Sequence, residues 1–145
     1  MATDTVDVLN SFLRGEISAV ETYRQAIDKL RDKPEVNTLN DCLRSHEQRV
    51  SILKSEIRSR GGDPADSAGT WGAFAKLVEG GATLFGEKAA IAALEEGEDH
   101  GRDDYKRDVT KLDPDARQFV QQQLLNEQLR THQAMSALKK SFDTH

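Results

Sequence analysis

R-G-E-I-S-A-V-E-T-Y-R at residues 14–24 and E-G-E-D-H-G-R-D-D-Y-K at residues 96–106 are two versions of one element: Gly-Glu, six residues, Tyr, then a base. Each sits inside a long stretch whose apolar residues recur at helical spacing. In residues 4–31 these are Leu9, Leu13, Val20, Tyr23, Ile27 and Leu30, and in residues 87–111 they are Ile91, Leu94, Tyr105 and Val109. Each stretch is followed by an aspartate-proline break, at Asp32 to Pro34 and at Asp113-Pro114, and then by a second apolar stripe. Residues 34–60 carry Val36, Leu39, Leu43, Val50, Leu53 and Ile57. Residues 115–141 carry Val120, Leu124, Leu125, Leu129, Met135 and Leu138.

The second stretches also match one another, N-D-C-L-R-S-H-E at 40–47 against N-E-Q-L-R-T-H-Q at 126–133. Three matched elements in one order read as an αα-hairpin used twice. The expected fold is therefore all-α, an antiparallel four-helix bundle formed by hairpin 4–60, crossover 61–86 and hairpin 87–141. Gly61 and Gly62 supply a stop for the second helix, Pro34 suits the first turn of that helix, and Asp113-Pro114 supplies an N-cap and first-turn proline for the fourth. The glycine-punctuated segment T-W-G-A-F-A-K-L-V-E-G-G-A-T-L-F-G reads as a short helical crossover. Its Trp71, Phe74, Leu84 and Phe85 are suited to capping one end of the bundle or, if exposed, to a dimer contact.

With 145 residues the chain makes one domain with a core. Charged residues are 31% of the total and the net charge is -5, so no broad basic face is expected and neither nucleic acid nor an anionic membrane is an expected partner. A single cysteine, Cys42, excludes an internal disulfide, fits a reducing compartment and reads as a small core filler. The first residues lack a signal-peptide pattern and no apolar run is long enough to span a bilayer, which makes the cytoplasm the expected location.

Helical geometry puts Glu16, Glu98 and His46 within their apolar stripes and His132 towards the shoulder of its own. Counted from the connections at about 1.5 Å per residue, Glu16 and His46 differ in depth by only about 6 Å. Two carboxylates and two imidazoles are thus expected to converge at mid-bundle, with Tyr23 and Tyr105 capping the carboxylates. Buried carboxylates need a cation or a hydrogen-bonding partner. Two readings satisfy that need: a metal held by Glu16, His46, Glu98 and His132, or a hydrogen-bonded network without metal. Glu87 reads as a helix-start residue that snorkels, and His100 as solvent-exposed.

At these residues the chain resembles the ferritin-like superfamily, which includes ferritin, bacterioferritin and rubrerythrin. That family has an inward Glu on its first helix with a Tyr seven residues later, as Glu16 and Tyr23 stand here, a further Glu matching Glu98, and Glu-x-x-His motifs whose histidines match His46 and His132. More closely, the pattern is similar to a bacterial ferritin-like domain family of unknown function, whose members are often conserved hypothetical or stress-associated. The resemblance implies an iron or manganese site of one or two ions in mid-bundle and a role in oxidative or metal stress. The chain departs from the pattern where the bridging glutamates stand, which here are Leu43 and Leu129. Glu47 and Glu127, on the shoulders of their stripes, are the acids able to swing inward in their place. The alternative expectation is a non-enzymatic bundle with a vestigial site, acting as a homodimer or higher homo-oligomer or through a protein partner.

Overall fold

The helical periodicity is realised in four long helical segments in the computed structural model, which describes residues 2–68 and 86–143; no strand occurs among them. The first helix, α1 (Ala2–Lys29), runs without an internal proline until the D-K-P sequence removes both a backbone donor and helical φ/ψ freedom. α2 (Val36–Ser59) follows after a short turn. Pro34 lies in that turn, two residues before α2, and so stands outside the first helical turn in which it was expected; Asn37 N–H bonds back to its carbonyl at 3.3 Å. α2 ends where Gly61 adopts φ +78° and Gly62 donates to the Ile57 carbonyl at 2.9 Å. A Cβ on Gly62 would come within 2.7 Å of the Val6 side chain, so this glycine also lets the chain close onto α1.

α3 (Gly86–Asp108) tightens into a 3₁₀ turn, Val109–Lys111. Asp113 then caps α4 (Pro114–Val120), its side chain accepting from Ala116 N–H at 2.8 Å with Pro114 in the first turn, as the sequence predicted. A π-helical turn, Gln121–Leu125, carries the chain on into α5 (Asn126–Asp143). The fourth expected helix is therefore one long segment with an inserted residue rather than a regular α-helix.

Two apolar clusters show how the helices lie. One joins Ala26 of α1 and Leu30 just after it, Leu39 and Cys42 of α2, Ile91 and Leu94 of α3, and Met135 of α5. The other joins Leu9 and Leu13, Leu53 and Ile57, Tyr105 with Val109 and Leu112, and Val120 with Leu124. The end of α1 thus meets the starts of α2 and α3, and α3 and α5 run in opposite directions. The core is a helical bundle with an apolar cluster at each end and a polar layer between them. The expected crossover and the residues Trp71, Phe74, Leu84 and Phe85 fall largely or wholly in residues 69–85, outside the described residues. Its first part is held by Asn10, which donates to the Asp63 carbonyl at 3.1 Å and accepts from Ala65 N–H at 2.8 Å.

Candidate functional site: a buried charge cluster

The polar layer is built by residues that helical spacing aims at the bundle axis. Glu16 and Glu98 are 4% and 0% exposed, His46 and Arg49 each 1%. His46 stands between the two carboxylates: Nδ1 meets Glu16 Oε1, and Nε2 lies 2.7 Å from Glu98 Oε2. A carboxylate only accepts hydrogen bonds, so with both glutamates ionised both ring nitrogens donate and the ring is an imidazolium.

The two Gly-Glu-x6-Tyr elements exchange partners. Tyr23 of α1 donates to Glu98 Oε2 at 2.5 Å, and Tyr105 of α3 donates to Glu16 Oε2 at 2.6 Å. Each tyrosine caps the glutamate of the other helix.

Arg49, one turn beyond His46 on α2, completes the cluster. Its Nη1 donates to Glu16 Oε2 at 3.2 Å and to Gln128 Oε1; Nη2 donates to Thr131 Oγ1 at 2.8 Å and to Ser45 Oγ at 3.0 Å. Gln128 and Thr131 in turn donate to Glu98 Oε1 at 3.0 and 2.8 Å, and Gln128 also reaches the Glu98 backbone carbonyl at 2.9 Å. Gly101 makes that reach possible, because a Cβ there would lie 2.8 Å from Gln128 Nε2.

Two anions and two cations therefore face one another with no net charge. Burial pushes the Glu16 carboxyl up, but Arg49 and His46 more than reverse this and hold it at about 2. Glu98 is likewise raised by burial and brought below the usual carboxylate range by His46 and Arg49. For His46, burial and Arg49 favour the neutral ring, yet Glu98 and Glu16 prevail and the pKa is raised. Burial, then the facing glutamate, pushes both tyrosines well above their ordinary value. Cys42, buried beside this layer, is raised to about 12 by burial and then by Glu98, so it is an inert thiol.

A cavity of about 20 Å³, room for about one water, opens beside the cluster between Gly15, Glu16, His46, Gly101, Tyr105 and Gln128. It belongs to the charge cluster.

Of the expected site residues, Glu16, His46, Glu98, Tyr23 and Tyr105 come together. His132 does not join them: Nε2 pairs with Asp99 and lies 3.1 Å from Arg102 Nη1, on the α3 and α5 flank. Inward residues on the last segment run Ala116, Val120, Leu124, Gln128, Thr131 and Met135. The buried stripe thus passes through Thr131, and His132, one residue and about 100° further round, falls on the flank. Glu47 is on the surface with Arg24 at 2.8 Å, and Glu127 bonds Ser45 at 2.7 Å and Arg130 at 3.0 Å, so neither enters the centre. Glu87 pairs with Lys33 at 3.1 Å. His100 is exposed.

The residues missed by sequence reasoning are Arg49, Gln128 and Thr131. Arg49 had a visible signal, because it stands on the buried stripe Leu39, Cys42, His46, Arg49, Leu53, Ile57.

The donor set is that of a di-metal carboxylate site in part only. Both oxygens of each glutamate accept from protein donors, both His46 nitrogens are engaged, and a guanidinium sits at the centre. As arranged, these groups do not fit a divalent cation, which would have to displace a fixed positive charge.

A family model described as a domain of unknown function (DUF2383) matches residues 4–111. No curated protein matches the chain and no solved structure does.

Proposed function

The chain belongs to the DUF2383 family of helical domains, and we propose that it is a non-enzymatic structural or interaction bundle whose polar centre is the remnant of a ferritin-like ligand set. Arg49 carries this reading. Its guanidinium, with the His46 imidazolium, supplies the positive charge that a metal supplies in a carboxylate bundle site. The reciprocal Tyr and Glu pairing supports descent from a duplicated αα-hairpin, with the two copies facing across the axis. On this reading the chain acts through its surface, by self-association or by a protein partner, and the buried cluster fixes which helices meet and in what register.

A second reading, iron or manganese binding linked to oxidative or metal stress, is favoured by one observation. Glu16, His46 and Glu98 are three of the four residues matched to the family's ligands, and His46 touches both glutamates.

The readings separate on the metal content of protein made in iron- and manganese-supplemented cells. If the bundle is non-enzymatic, Glu98→Gln leaves the metal content unchanged. A stoichiometric ion lost on Glu98→Gln would establish the metal reading instead.

A further inference from the structure

Outside the centre, Glu95, Asp99 and His132 bring one ligand atom each to within 4.8 Å of one another, half-buried between α3 and α5. We propose that they form a site for a first-row divalent cation, distinct from the central cluster, that clamps α3 to α5.

Glu95 and Asp99 are one turn apart on α3, so their side chains share a face, and His132 meets that face from α5. Two carboxylates and an imidazole are a ligand set for zinc, manganese or iron(II), with the remaining positions left to water. Their formal charge with a neutral imidazole matches a dication.

The local bonding is contested in a way that a cation resolves. His132 Nε2 faces both Asp99 Oδ1 and, at 3.1 Å, Arg102 Nη1. One nitrogen cannot donate to the carboxylate and accept from the guanidinium at once. The present partners are replaceable. Arg102 lies 3.7 Å from Asp99 but also has Asp103 at 3.2 Å, to which it can retire, and the half-exposed Lys139 is 3.7 Å from Glu95. Ser136 donates to Glu95 at a long 3.4 Å, a contact able to orient the carboxylate without blocking its other oxygen.

Calorimetric titration of the full chain with Zn²⁺ and Mn²⁺, with melting followed in parallel, tests the site. One ion per chain is expected, with a rise in Tm. His132→Gln and Asp99→Asn should each weaken binding by about tenfold or more, while Glu98→Gln leaves it unchanged. Removing the competing charge in Arg102→Met should tighten binding, which a purely structural ion-pair cluster would not do. No binding of either ion, binding indifferent to His132→Gln and Asp99→Asn, binding lost on Glu98→Gln, or weaker binding by Arg102→Met would overturn the proposal. The side chains exchanged are half-buried, so the variants' melting without metal shows directly that they fold.

Discussion

Tyr23 donates to Glu98, 2.5 Å away on α3, and not to Glu16 on its own helix. The same exchange at Tyr105 and Glu16 makes the two copies of one sequence element hold each other. The relationship gives the repeat a physical purpose. Neither carboxylate could be buried against its own helix alone, and each is satisfied only when α1 and α3 pack in one register.

Removing one hydroxyl should therefore cost more than an exposed hydrogen bond. Tyr23→Phe and Tyr105→Phe are each expected to lower stability by about 1.5–3 kcal/mol, the range for hydrogen bonds to charged groups. Urea unfolding measures this. The loss in Tyr23→Phe should shrink when Glu98 is already Gln and persist when Glu16 is, since the pair coupling runs between helices.

Arg49 is the most sensitive position in the cluster. Arg49→Met strands Glu16 without its strongest cation and leaves Gln128 and Thr131 each lacking a partner. A loss of about 3–5 kcal/mol is expected, as for breaking a buried ion pair. Adding Glu16→Gln to Arg49→Met should recover part of it, because the uncompensated anion is then gone. Equal and additive losses in the cycle would refute the pairing.

Stability should depend on pH from both sides. The lowered Glu16 and Glu98 values mean that their contribution is present above the ordinary carboxylate value of 4.5 and drains away as pH falls, for Glu16 towards about 2. The raised His46 value has the opposite sign: its contribution is complete below 6.5 and is lost as pH rises through the higher folded value. Melting temperature should thus be greatest between about 4.5 and 6.5 and fall on either side. His46→Gln should flatten the alkaline limb and also weaken the acid limb, because His46 helps to hold both glutamates below their ordinary value.

The four helical segments and most of the polar layer were legible in the sequence because both obey local rules. Helical spacing aims Glu16, His46 and Glu98 inward, and the tyrosines one further pair of turns along fall on the same face. His132 was misplaced because Leu125 and Leu129 read as part of the buried stripe, whereas the stripe runs through Leu124, the polar Gln128 and Thr131, and Met135, leaving Leu129 exposed and His132 one residue off the stripe. Arg49 was passed over for a different reason. Periodicity identifies inward positions by their apolar residues, so a charge on the stripe reads as a gap until the partners that neutralise it are known. Those partners, Gln128 and Thr131, lie 79 and 82 residues away in sequence. No local pattern links them.

The central claim is that His46 and Arg49 together provide the cationic charge facing Glu16 and Glu98. Nitrogen-detected NMR of the His46 ring at pH 7, in metal-free protein, tests it most directly. The account predicts hydrogen on both Nδ1 and Nε2, with the doubly protonated ring persisting above the ordinary imidazole value of 6.5. A neutral His46 ring with one bare nitrogen at that pH would contradict it.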